Sequence, residues 1–372
     1  MTAVWGVLVA LGALAFLLGV NSADAARVWC VYLANLVFWG GLAVTGPAIA
    51  GMMQLTEARW SPSVRRLALT TAGFLPAAFV LLLFLILGQD ALYGRWLHPP
   101  AEIEALVARK AAWLNAPFFW ARTLVAAAAL FAVAFAFVRL LVRAPAHAGN
   151  EAEQSRRNRL AVVLLMLWVV TISLWGFDLV MSLDPSWYSG LFGGYFVVST
   201  LYTGFALLAI HTVRANARGL ATVPPGAVQD VAKLQFALSI MWMYFFWSQY
   251  LVIWYGNVPI ETRFVVARFF VQPWQTLAWV VMVVGWLIPF MYLLKRLTGR
   301  PPQRHTPLVV MAVFGLVGIF LERLLVIVPS VLPQAAGFPL GWRELLISAG
   351  FLALFVLSRR WFFARFRPVL DI

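Results

Sequence analysis

Asp178, Asp184, His211, Asp230, Lys233, Glu261, Glu322 and Arg323 all stand inside, or at the lips of, long apolar runs. Placing an ionisable group in hydrocarbon costs about 2.5–3.5 kcal/mol on insertion scales, so each needs a partner, a water-filled cavity or an interface. Asp, Glu and His exchange protons, and Ser, Tyr and Gln side chains hold water chains. Sorted by depth in the expected spans, His211, Asp230 and Lys233 fall at the inner ends, and Asp178, Asp184, Glu261, Glu322 and Arg323 toward the outer ends. Ser239 and Gln249 lie between them on one helix face with Gln235 and Trp242, at spacings of four, three and seven residues. Such an order predicts two aqueous half-paths joined by a polar relay. The competing reading is a set of interhelical ion pairs, with Arg122 the partner of one acid and side chains snorkelling at both interfaces. Glu322 and Arg323 are adjacent, point about 100° apart on a helix, and need not pair with each other.

A second chemistry comes from the aromatic run Trp242, Tyr244, Phe245, Phe246, Trp247, Tyr250, Trp254 and Tyr255. Trp242, Gln249, Tyr250 and Asn257 are candidate contacts for a quinone ring. Bundle packing and an interfacial aromatic belt compete for the same residues. Metal chemistry has little to work with. A single cysteine, Cys30, excludes a cluster or disulfide held by this chain alone, and the four histidines His98, His147, His211 and His305 offer no haem-ligating pair within the spans. No redox cofactor bound by the chain alone is expected.

The elements that must position these groups are membrane helices. The 372 residues are 63% hydrophobic and 11% charged, and apolar runs of bilayer length recur throughout without strand-like alternation. The expected fold is an all-α polytopic membrane protein with one integral domain. Its ten spans are placed at about 3–20, 28–54, 66–88, 117–142, 160–183, 190–213, 231–256, 271–294, 308–328 and 342–362. The opening MTAVWGVLVALGALAFLLGVNSADAA resembles a signal peptide but lacks a basic n-region, and reads as the first helix. Lys and Arg concentrate in the loops after even-numbered spans and in the C-terminal tail, from Arg59 through Arg300 and Arg304 to Arg367. The opposite loops hold only Arg27, Arg95, Arg109, Lys110, Arg263, Arg268 and Arg343. By the positive-inside rule both termini are cytoplasmic, so the net charge of +14 reports topology rather than nucleic-acid binding.

Between spans, HPPAEIEALVARKAAW predicts a short surface helix, residues 143–159 a flexible linker, and NVPIETRF a loop carrying Asn257, Glu261 and Arg263. Gly190 and Gly194 read as a close-packing pair opening the sixth span, Pro47 and Pro289 as kinks within spans, and Asp184-Pro185 as a turn.

FDLVMSLDPSWYSGLFGGYF (177–196) and DVAKLQFALSIMWMYFFWSQYLVIWYGNVPIETRF (230–264) resemble the ActF subunit of bacterial alternative complex III, a quinol:electron-acceptor oxidoreductase. The match is dense over residues 175–265. It implies an NrfD-like membrane subunit with two four-helix bundles, spans two to five and six to nine, flanked by the first and tenth helices, and with spans five to seven meeting at the junction. It also implies a bacterial inner-membrane location. Expected partners are lipids, an ActC-like quinol-oxidising subunit, and haem c and iron–sulfur subunits that carry the redox centres. The family's association with a proton path carries over to Asp178, Asp184, Asp230, Lys233, Gln249, Tyr250, Asn257 and Glu261 only. Where the family pattern has two acids after the loop proline, this chain has Ile260-Glu261. A purely structural anchor and a secondary transporter are the alternative functions.

Overall fold

The computed structural model describes residues 2–58, 62–143, 151–296, 305–332 and 340–366. Arg59, His147, Arg300, Arg304, Arg367 and the first part of the expected linker lie outside them. Among the described residues ten helices are long and apolar enough to cross a membrane, so the chain is a multi-pass α-helical membrane protein. In chain order the helices are α1 (Thr2–Val20), α2 (Ala25–Leu55), α3 (Val64–Leu97), the short α4 (Ala101–Arg109), α5 (Ala116–Arg143), α6 (Glu151–Leu183), α7 (Phe192–Ala217), α8 (Pro225–Gly256), the short α9 (Pro259–Phe269), α10 (Trp274–Leu294), α11 (Thr306–Val331) and α12 (Trp342–Arg365).

Two expectations about the connections are corrected. Residues 151–159 are the first turns of α6, not a linker. Their Glu-rich start favours the positive end of the helix dipole, and Glu153 pairs with Arg157 at 3.7 Å, four residues on. Glu261 and Arg263 lie on α9 rather than in a loop: Pro259 at its first position and Glu261 in its first turn are helix-start signals. Gly190 precedes α7 with open space around it. The close approaches belong to Gly193, against Phe177, and Gly194, against Phe245.

α2 and α7 are buried along most of their length and form the seam of the bundle. α2, α3, α5 and α6 pack together on one side, and α7, α8, α10 and α11 on the other; α1 and α12 pair with each other and lean on α2 and α3. The two groups join through α2 against α7 and α11, with α6 beside α7. The seventh span, α8, packs principally on α7 and so does not share the junction expected of it.

Two prolines inside the spans, Pro47 and Pro289, free carbonyls that neighbouring hydroxyls collect. Pro47 has no N–H to give to Ala43, whose carbonyl accepts from Thr71 Oγ1 at 3.0 Å. In a regular helix Pro289 would likewise fail Gly285. There α10 widens into a π turn over Val281–Leu287, and Tyr202 Oη donates to the Gly285 carbonyl at 3.1 Å. α10 and α11 then approach to backbone contact: a Cβ added to Gly318 would lie 2.1 Å from Gly285 Cα. Because membrane helices associate through such small-residue contacts, Gly318→Leu is expected to lower the midpoint of thermal unfolding in detergent by several degrees. Gly6→Leu, where nothing lies within 4 Å, should leave it unchanged.

Candidate functional site

Asp178 sits in a π turn, Trp175–Val180, near the end of α6, and is fully buried. Arg122 of α5 grips it with two hydrogen bonds, Nε to Oδ2 at 2.7 Å and Nη2 to Oδ1 at 2.9 Å. Trp113 Nε1 adds a third at 3.1 Å, while its carbonyl accepts from Arg122 Nη1 at 2.8 Å and its ring lies under the guanidinium. Both carboxylate oxygens are therefore held by donors of fixed geometry, the arrangement of a closed structural ion pair. Asp184 does more than turn the chain. It accepts from the Ser186 backbone N–H at 3.1 Å and meets Arg95 of α3 at 3.3 Å and Arg263 of α9 at 3.9 Å. With Lys110 donating to the Pro185 carbonyl at 2.8 Å, the α6–α7 corner clasps three other segments.

The second buried acid is placed differently. Glu322 Oε2 pairs with Arg323 Nη1 at 2.8 Å, so the two adjacent side chains do meet, and Glu322 Oε1 accepts from Tyr195 Oη of α7 at 2.8 Å. α7 supplies what bends Arg323 back toward its neighbour: Ser199 Oγ accepts from Nη2, and the Phe196 ring lies 3.8 Å from the guanidinium carbon. Tyr195, Ser199 and Tyr202 follow one face of α7 at spacings of four and three, a signal present in the sequence but not read from it.

Glu322 also borders a cavity of about 60 Å³ between α7, α8, α9, α10 and α11. Trp242, Gln249 and Tyr250 line it as well, whereas Asn257 does not: Asn257 ends α8 in a left-handed conformation (φ 47°) and is exposed. The aromatic wall expected on α8 is split by helical geometry. Trp242, Phe246 and Tyr250, four residues apart, turn inward, while Tyr244, Trp247, Trp254 and Tyr255 are exposed on the bundle surface. Gln249 bridges inward from the α8 backbone, donating to the Phe245 carbonyl at 3.1 Å and accepting from Ser189 Oγ at 2.9 Å.

Arg268 of α9, unanticipated as a site residue, closes the cavity wall. Its Nη1 donates to the Phe264 carbonyl at 2.8 Å, and its Nη2 to the Val326 carbonyl at 2.8 Å and to Ser330 Oγ at 2.6 Å. Burial draws its guanidinium well below the ordinary range, and the carboxylates of Asp184 and Glu322 act to retain its proton.

The groups expected at the opposite, arginine-rich end do not gather. Asp230 pairs with Lys233 at 3.3 Å near the surface of α8. His211 is buried on α7 and hydrogen-bonds to Arg359 of α12. Ser239 donates to the Phe236 carbonyl of its own helix at 2.6 Å, and its carbonyl accepts from Trp286 Nε1 at 3.1 Å. The polar side chains of α7 fall in two groups, Tyr195, Ser199, Thr200 and Thr203 in one and His211 and Thr212 in the other, with the apolar residues 204–210 between them. The Ser and Thr hydroxyls among them donate to carbonyls of α7. A small cavity of about 10 Å³ separates His211 from Thr71 and Gly204, the scale of about one water. Glu261 is partly exposed in the first turn of α9. Among the described residues no group of three or more His, Cys, Asp and Glu could hold a metal ion.

Removing one partner of a buried ion pair strands the other charge. Arg122→Gln and Asp178→Asn are therefore each expected to destabilise the folded protein by about 3–5 kcal/mol in a denaturant titration, and the double replacement Arg122→Met with Asp178→Leu to recover most of that loss.

No protein-family model matches the chain and no curated protein matches its sequence, so a functional reading has to stand on the residues and their arrangement.

Proposed function

We propose that the chain is an integral membrane subunit of a quinol-oxidising electron-transport complex of the alternative complex III kind, in a bacterial inner membrane with both termini cytoplasmic. It anchors neighbouring subunits that carry the haems and iron–sulfur clusters, and provides part of a transmembrane proton route. The observation that carries this reading is the network Tyr195–Glu322–Arg323–Ser199, a carboxylate held inside the bundle on the wall of a cavity. An ionisable group retained at that cost in hydrocarbon marks a functional site by default. The resemblance of residues 175–265 to ActF supplies the class of complex.

The proton route proposed from the geometry is narrower than the one expected from depth alone. Glu322 with Tyr195 is its group at one end, His211 its group at the other, and the α7 hydroxyls lie between. Asp178 is set apart from the route because Arg122 and Trp113 saturate its oxygens. Asp230 and Lys233 are set apart because they neutralise each other at the α8 surface.

A purely structural subunit is the second reading, and the saturated Asp178 pair and the Asp184 clasp favour it for that part of the molecule. A secondary transporter receives less support, since transport sites of that kind sit where helices are interrupted at mid-membrane. Here the widened turns of α6 and α10 keep their helices continuous.

The readings separate in vesicles containing the reconstituted complex. Glu322→Gln should lower the ratio of protons released to electrons transferred while quinol oxidation continues, and Asp178→Asn should reduce assembled complex without changing that ratio. An unchanged ratio in assembled Glu322→Gln complex would leave only the structural reading standing.

A further inference from the structure

Arg214 and Arg218 at the end of α7 and Arg359 and Arg360 near the end of α12 bring four guanidinium groups to one corner of the arginine-rich end, where Arg214, Arg218 and Arg360 all bear on Arg359 with like charge. Arginines elsewhere are matched: Arg122 by Asp178, Arg323 by Glu322, Arg95 by Asp184 and Arg27 by Glu344. None of the four in this corner pairs with a carboxylate among the described residues. A helix C-terminus supplies about half a negative charge, so the ends of α7 and α12 together offset about one of the four charges and leave about three.

Snorkelling into water does not account for the corner, because Arg359 is turned inward. Its Nη1 donates to His211 Nε2, its Nε is buried without a partner, and the Phe363 ring lies 5.1 Å from its guanidinium carbon. Trp5 of α1 lies 5.9 Å from the guanidinium carbon of Arg360, while Arg214 and Arg218 are exposed and leave the corner open on their side. At about 1.5 Å per residue, α7 reaches His211 about 29 Å from its start at Phe192, and α12 reaches Arg359 about 26 Å from its start at Trp342. Both therefore arrive at the far edge of a hydrocarbon core about 30 Å thick, the level of the lipid phosphates. Planar guanidinium forks match phosphate oxygens. We propose that the α7–α12 corner is a specific site for the phosphate of an anionic phospholipid, held by Arg218, Arg359 and Arg360 with Arg214 beside them, in the leaflet at the arginine-rich end. The site requires only that the chain cross a membrane, and is independent of the class of complex and of the proton route.

The test is titration of phospholipid into the delipidated full-length chain in detergent, with bound lipid counted by native mass spectrometry. Phosphatidylglycerol is expected to bind saturably and about tenfold or more tighter than phosphatidylcholine, whose phosphate carries its own choline cation. Arg218→Gln, at an exposed position, should weaken phosphatidylglycerol about fivefold, and Arg218→Gln with Arg360→Gln about thirtyfold, the contributions of one and of two basic residues near an anionic headgroup. Arg139→Gln removes an exposed arginine of α5 at the same end but outside the corner, and should leave the affinity unchanged. Equal binding of the two lipids, wild-type affinity in Arg218→Gln and in the double variant, or the same loss in Arg139→Gln as in Arg218→Gln would each overturn the proposal. So would displacement of phosphatidylglycerol by millimolar inorganic phosphate, which would mark a site for a soluble anion instead.

Discussion

Inside a bilayer no backbone carbonyl and no charge can turn to water for a partner, and that single constraint accounts for most of what holds these helices in register. It explains why Thr71 reaches across to Ala43, why Tyr202 reaches Gly285, and why Arg122 closes on Asp178 with two parallel hydrogen bonds. Each polar contact is also an address. It can be made by only one pair of helices at one depth, so the contacts fix which apolar faces meet, a choice that dispersion between Leu, Val and Phe leaves nearly degenerate.

The same constraint separates the two buried acids. Asp178 has both its oxygens filled by donors of fixed geometry, so its charge is locked into the α5–α6 contact. Glu322 shares its oxygens between a tyrosine and an arginine whose other nitrogen is engaged with Ser199, and it faces space. A carboxylate with an exchangeable hydroxyl partner and room beside it can change its hydrogen bonds without dismantling the bundle. One saturated in a fork cannot.

Much of the fold was legible because it is written in local composition. The spans follow from apolar runs, the α6–α7 corner from Asp184-Pro185, and Arg122 as a partner for an acid from depth and sign alone. The site was less legible because its members are far apart in sequence: Tyr195 and Glu322 are separated by 127 residues, and nothing in either span names the other. The polar stripe of α8 is real as periodicity, but Ser239 and Gln249 spend their hydrogen bonds chiefly on nearby backbone and on Ser189. The hydroxyls that meet Glu322 and Arg323 belong to α7, whose Tyr, Ser and Thr positions look like ordinary small-residue packing when read without their neighbours. Arg268 reads as a loop charge in the sequence because α9 is too short to show helical periodicity clearly.

Gly46, Pro47 and Thr71 carry a historical consequence. A Cβ on Gly46 would lie 2.1 Å from Thr71 Oγ1, so the missing side chain is what admits the hydroxyl, and the missing N–H of Pro47 is what gives that hydroxyl its acceptor at Ala43. Replacing Thr71 first strands a carbonyl. Replacing Pro47 first restores the helix's own donor, after which the hydroxyl is dispensable, but the glycine must stay bare, because a Cβ there would also lie 2.2 Å from the Ala68 carbonyl oxygen. Pro47 and Thr71 can therefore drift in one order and not in the reverse, so a lineage that has kept the proline inherits the threonine with it.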